Sequence, residues 1–266
     1  MSEPNKKFKI VTDTRARVIL PNALTLIGVC IGLSSINFAL NQNYKLAIIS
    51  IIFAAIIDGL DGRIARLIKG TSKVGKELDS LTDIISFGVA PAFIMYFWSL
   101  NSLGKIGWLV SLIYVVCIAL RLARFNLNSN NDLSWKNNFF EGVPSPAGGI
   151  LVLSPLIYEV SELNILNLNY KLIVPIIFIF VSILLISKIP TYAFKKISVK
   201  RSTTVFLMFG IVFSFVLLLM FPFQTLVFAS MIYIISLPVS FYHYYKLKKI
   251  NKSEQLFDHD EPEDFL

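Results

Sequence analysis

Long apolar runs leave this chain few ways to fold. YKLAIISIIFAAII (Tyr44–Ile57) and IISFGVAPAFIMYFW (Ile84–Trp98) are two of several. A run near the roughly 17–25 apolar residues that cross a bilayer must satisfy its backbone internally, as a helix. With 55% hydrophobic residues, 16% charged residues and a mean hydropathy of +0.67, the sequence excludes an ordinary soluble domain, where about a quarter of residues are charged. The expected architecture is all-α, a polytopic integral membrane bundle of about eight transmembrane helices. The expected spans are 18–40, 44–67, 78–99, 105–126, 145–160, 171–188, 203–221 and 225–245. Pro155 falls inside the short fifth span, and Pro91, Pro175 and Pro238 are expected to bend theirs. Cys30 and Cys117 lie in apolar runs and read as small hydrophobes, with no disulfide framework or zinc spacing. The polar, basic first seventeen residues lack the apolar core of a removable signal peptide.

Charge sets the expected orientation. Of the 25 Lys and Arg residues, all but Lys45, Lys105 and Lys171 fall on one side of this arrangement. Basic loops stay in the cytoplasm, so both termini should face it, in a bacterial inner membrane. The net charge of +8 is then a topological and membrane-surface signal, and no nucleic-acid partner is expected. The organisation reads as a basic segment 1–17, a membrane domain 18–200, a transmembrane hairpin 201–245 and a charged tail 246–266. The tail's end, SEQLFDHDEPEDFL, reverses sign without periodicity and reads as solvated.

Against this background DGLDGRIARLIKGTSKVGKELDSLTD (Asp58–Asp83) is unexpected. A carboxylate near a bilayer core costs roughly 2.5–3.5 kcal/mol on insertion scales, yet Asp58, Asp61, Asp79 and Asp83 sit at the inner ends of two spans. Spacings of three and four residues put each pair on one helix face. The short polar connection turns the third span back beside the second, so all four carboxylates converge at the cytoplasmic ends of helices 2 and 3. Such a pocket needs cations, and hard divalent ions such as Mg²⁺ suit all-oxygen ligands. Two ions would clamp a displacement at phosphorus. Gly59, Gly62 and Ala65 thin the helix face so that a ligand or a neighbouring backbone approaches closely. Arg66 is placed to pair with a phosphate, and Gly75 relieves crowding before Asp79. The competing reading is an Asp paired with a neighbouring Arg, beside small residues that serve only packing.

The pattern D-x-x-D-G-x-x-A-R, eight residues, then G-x-x-x-D-x-x-x-D resembles the signature of the CDP-alcohol phosphotransferases. It is carried by Asp58, Asp61, Gly62, Ala65, Arg66, Gly75, Asp79 and Asp83. The resemblance implies transfer of a phosphatidyl or similar group from a CDP-linked donor to an alcohol, with release of CMP. It implies that Asp58, Asp61 and Asp79 hold divalent metal, Mg²⁺ or Mn²⁺. Asp83 would both contribute to the metal site and act as general base. Asn22, Thr25 and Ser72 would contact the nucleotide or pyrophosphate, and the chain would form a homodimer. For Asn22 a helix N-cap after Pro21 is the competing reading.

Further stretches, DIISFGVAPA, RLARFN, FEGVPSPAGG and SKIPTY, resemble the phosphatidylserine synthases of that family, with small departures at Val143, Gly148 and Gly149. They imply CDP-diacylglycerol and L-serine as substrates, by direct displacement or through a phosphatidyl-enzyme. Arg121 and Arg124 would then bind the acceptor, against a bland reading as interfacial anchors. Glycerol-3-phosphate or inositol phosphate as acceptor stays open, as does a cation transporter with the aspartates as its path. Tyr96, Trp98, Trp108 and Tyr114 read as an interfacial belt. His243 and His259 receive no role.

Overall fold

The computed structural model describes residues 14–68, 72–128, 139–163, 168–192 and 201–258. Helical rods stand at each of the eight expected positions. They are α1 (Thr14–Leu40), α2 (Tyr44–Leu67), and a third rod made of α3 (Lys73–Asp83), a π-helical turn (Ile84–Val89) and α4 (Ala90–Trp98). There follow α5 (Lys105–Asn128), α6 (Ser145–Val160), α7 (Tyr170–Ile186), α8 (Arg201–Met220) and α9 (Pro222–Asp258). Among the described residues, four stretches are long and apolar enough to cross a membrane: Ile19–Leu40, Val74–Trp98, Lys105–Leu127 and Pro222–Leu247. Ser145–Val160, Tyr170–Ile186 and Phe206–Met220 are shorter apolar helices. Phe53, Val116, Ile183 and Phe209 stand exposed on these rods, as lipid-facing side chains do. This is an integral membrane protein.

Two boundaries differ from expectation. α1 begins at Thr14, so Asn22 lies within a helix and is not its N-cap. α9 runs on to Asp258, so the start of the tail is helical. Residues 1–13 and the tail from 259, His259 included, lie outside the described residues, as does Lys69 between α2 and α3.

The third rod shows how one proline shapes the core. Pro91 has no N–H to offer the Phe87 carbonyl one turn earlier, and its ring would press on that carbonyl in a regular helix. The rod opens into a wider turn instead, with Ala90 N–H donating to Ile85 O. The freed Phe87 carbonyl accepts the Tyr114 hydroxyl at 2.7 Å. Tyr114 is fully buried and packs on Phe178, ring centroids 5.3 Å apart, so it is a core residue and not part of an interfacial belt. Tyr96 and Trp108 do meet edge-on at 5.3 Å, and Trp98 lies 4.9 Å from Tyr170.

Helices α1, α5 and α6 converge on this turn. Gly28 and Gly32 of α1 have the small-xxx-small spacing that lets membrane helices approach closely. Ser86 Oγ donates to Gly28 O at 3.3 Å, and a Cβ on Gly32 would stand 2.5 Å from Ser86 Oγ. Gly149 of α6 is similarly confined: a Cβ there would stand 3.2 Å from Phe87 O.

A short ribbon joins the helices and adds to the all-α expectation. β1 (Phe139–Glu141) pairs antiparallel with β2 (Pro190–Tyr192), Phe140 opposite Thr191. Gly142 follows at φ +78°, a conformation that favours glycine. Its N–H donates to Ile189 O at 2.9 Å, and its carbonyl accepts from Thr191 Oγ1 at 2.8 Å. This lock fixes the loop that delivers Ser145 to the start of α6. α9 closes over it, with Ser240 Oγ donating to Pro190 O at 2.8 Å.

Candidate active site

Caps set the phase of the two acidic helices. Asn43 Oδ1 accepts from Leu46 N–H at 3.3 Å to start α2, and Ser72 Oγ accepts from Gly75 N–H at 2.9 Å to start α3. Asp58, Asp61 and Asp79 thereby each place a carboxylate oxygen within 4.8 Å of the others. Asp83, one turn beyond Asp79, neighbours Asp58. Asp61 is only 3% exposed and Asp83 8%.

The protein engages just one oxygen of each buried carboxylate. Thr25 Oγ1 lies 2.7 Å from Asp61 Oδ2 and 3.0 Å from its own-helix carbonyl at Pro21. Ser145 Oγ donates to Asp83 Oδ2, and Arg121 Nη1 donates to Ser145 Oγ at 3.1 Å. Oδ1 of Asp61 and Oδ1 of Asp83 are buried without any hydrogen-bond partner. Buried polar atoms are almost always paired. Four clustered carboxylates with two unpartnered oxygens fit hard divalent cations, which take oxygen ligands and leave other positions to water or phosphate.

The remaining expected residues divide into groups. Asn22, Ser72 and Gly75 form one contact: a Cβ on Gly75 would stand 2.9 Å from Asn22 Oδ1 and 3.0 Å from Ser72 Oγ. Nothing lies within 4 Å of where a Cβ would sit on Gly59 or Gly62, so that thin face, with half-buried Ala65 beside it, borders open space and no neighbouring backbone. Arg66 is exposed and its Nε–H donates back to Gly62 O at 3.0 Å. Among the described residues it makes no ion pair. Arg124 closes the end of α7, donating to Ile186 O at 2.7 Å and Ser187 O at 3.3 Å. Arg121 is 7% exposed and lies beside Asp83, which sets aside the interfacial-anchor reading for it.

Ser145 was not singled out from the sequence, although it stands within FEGVPSPAGG. The proline-flanked helix start was visible there, whereas the partner 62 positions earlier was not. Tyr233 of α9 was missed as well. Its hydroxyl is buried near Arg121 and Thr191.

Known proteins resemble the chain over half to two thirds of its length. A protein named CDP-diacylglycerol–serine O-phosphatidyltransferase from Mycobacterium leprae is 46% identical over 140 residues, 52% of this chain and 46% of that protein. Proteins of the same name from Helicobacter pylori and Bacillus subtilis are 36% and 34% identical over 179 and 178 residues, covering 74% and 92% of their own lengths and 67% and 66% of this chain. The matched stretch thus spans about half of the mycobacterial relative but most of the other two. The family model for CDP-alcohol phosphatidyltransferase matches residues 18–186, which include all four aspartates, Arg121 and Ser145. By that match, and by the acidic cluster its residues build, the chain belongs to the CDP-alcohol phosphatidyltransferase family.

Proposed function

We propose that the protein transfers the phosphatidyl group of CDP-diacylglycerol to the hydroxyl of L-serine, forming phosphatidylserine and CMP. One observation supports this most: carboxylates of Asp58, Asp61 and Asp79, from two helices, come within 4.8 Å of one another, and buried Asp61 and Asp83 each keep an unpartnered oxygen, in a family whose relatives carry that name. The residues that would hold metal are Asp58, Asp61, Asp79 and Asp83, with room in the chemistry for two ions, Mg²⁺ or Mn²⁺. When bound, such ions neutralise the diphosphate and the leaving phosphate.

In this reading the acyl chains of the donor lie in the bilayer and the nucleotide meets the exposed end of α2. The open space beside Gly62 and Ala65 admits the diphosphate. Arg66 adds charge for the transferring phosphoryl group. Asn22, Thr25, Ser72 and Gly75 shape the same wall, Thr25 by holding Asp61 in place. Asp83 Oδ1 accepts the proton of the serine hydroxyl as that oxygen bonds to the lipid-bearing phosphorus. The bond from phosphorus to the bridging oxygen breaks, and CMP departs with that oxygen. The Ser145 hydroxyl, fixed by Arg121, occupies Oδ2 and so turns Oδ1 toward the acceptor. Arg121 lies close enough to receive the acceptor's own charge. Arg124 contributes by fixing the end of α7. The cation-transporter reading gives way to the family assignment. Glycerol-3-phosphate and inositol phosphate remain the alternative acceptors.

The same reading places residues 18–200 as the catalytic membrane domain, 201–245 as a hairpin against it, and 1–17 and 246–266 as charged flanks. It takes eight crossings in the inner membrane, both termini and the site facing the cytoplasm, and a homodimer. The test is an acceptor panel on the purified protein in detergent with Mg²⁺ or Mn²⁺. CMP release from CDP-diacylglycerol is expected with L-serine. Release with glycerol-3-phosphate alone would remove serine while leaving the phosphotransfer intact.

A further inference from the structure

Among the described residues, the buried side-chain polar atoms without a hydrogen-bond partner are Asp61 Oδ1, Asp83 Oδ1, Arg121 Nε and Tyr233 Oη. They divide by chemistry. The two carboxylate oxygens accept only and call for cations. The guanidinium N–H donates only and the phenol O–H donates readily, so together they call for an anion. The halves are joined, because Ser145 bridges Asp83 to Arg121 and Arg121 neighbours Tyr233. Thr191 also lies beside Tyr233; its hydroxyl hydrogen goes to Gly142 O at 2.8 Å, which leaves it only as an acceptor for the phenol, and the two do not meet in hydrogen-bond geometry.

Tyr233 comes from α9, beyond the residues 18–186 that match the family. A lone hydroxyl and a guanidinium N–H left unpaired inside a membrane bundle are costly, and such groups mark ligand sites by default. L-Serine is short: its carboxylate lies a few bonds from its hydroxyl. An anion held by Arg121 therefore brings that hydroxyl toward Asp83, through the neighbourhood that Ser145 spans.

We propose that Tyr233 is a specificity-determining residue, its hydroxyl joining Arg121 Nε–H to bind the carboxylate of an amino-acid acceptor and so favouring serine over alcohols that lack an acid group. This rests on the serine-transfer reading above. The C-terminal hairpin then does more than cover the bundle, since it supplies part of the acceptor site.

The test compares the full-length enzyme with Tyr233→Phe, which removes one oxygen and keeps the ring. The readouts are kcat and KM for L-serine, KM for CDP-diacylglycerol, and the ratio of serine to ethanolamine turnover. Loss of one hydrogen bond to a charged group raises KM for serine about 10- to 100-fold. KM for CDP-diacylglycerol should hold, kcat should change far less, and the preference for serine over ethanolamine should fall by a similar factor. Ser240→Ala, which loosens the seating of α9 on β2 without touching either donor, should not reproduce that selective rise. An unchanged serine KM in Tyr233→Phe, or an equal effect in Ser240→Ala, overturns the proposal while leaving serine transfer standing. A wild-type enzyme that accepts only neutral alcohols overturns the proposal together with the serine reading. If the wild type uses glycerol-3-phosphate and not serine, the serine reading fails and so does the amino-acid assignment of Tyr233.

Discussion

Asp83 has two carboxylate oxygens in different company, one bound to Ser145 and one without a partner. Asp83→Asn keeps the shape but cannot take a proton, so CMP release should drop by about 10²–10⁴-fold or more, while binding of CDP-diacylglycerol persists in an equilibrium assay. Full turnover in that variant would remove Asp83 as base. Thr25 touches one of the proposed metal ligands, at Asp61 Oδ2. Thr25→Val should raise the Mg²⁺ or Mn²⁺ concentration for half-maximal activity by about 10–100-fold, as outer-shell losses do, with kcat at saturating metal much less affected. The aspartates were legible in the sequence because their spacing matches the helix period and their cost in an apolar chain is high. Ser145 and Tyr233 were not, since their significance lies in partners far away along the chain.

Helices in this bundle owe their spacing to small residues at particular crossings. Gly75→Ala would drive a Cβ to 2.9 Å from Asn22 Oδ1 and 3.0 Å from Ser72 Oγ, disturbing the α1–α3 contact and the cap of α3. Activity should fall in that variant, whereas Gly59→Ala, with nothing within 4 Å, should fold and purify like the wild type. Gly32→Ala meets Ser86 at 2.5 Å and is expected to cost about 1–3 kcal/mol of stability, as overpacking does, visible as a lower melting temperature in detergent. Element positions were readable from apolar run length, and α2 and α6 coincide with the expected 44–67 and 145–160. The β1–β2 ribbon was not readable: three-residue strands far apart in sequence carry no periodic signal.

At the scale of the molecule, the topology proposed from the sequence puts most basic side chains on the side of the acid cluster, so orientation and chemistry are tested together. Single cysteines introduced at Lys105 and Lys171 should react with a membrane-impermeant thiol reagent in intact cells, and one at Arg66 only after permeabilisation. The opposite pattern would reverse the orientation. The wide turn at Ile84–Val89 has a final bearing on this. It holds an extra residue relative to an α-helical turn, so the acidic half of its rod is phased separately from the buried half. Were this turn to tighten into regular helix with every residue kept, Asp79 and Asp83 would swing about 100° around the axis relative to Ala90–Trp98, and Pro91 is what prevents it. The signature would still read correctly letter by letter, yet its carboxylates would leave their cluster: a proline outside the motif keeps it in phase.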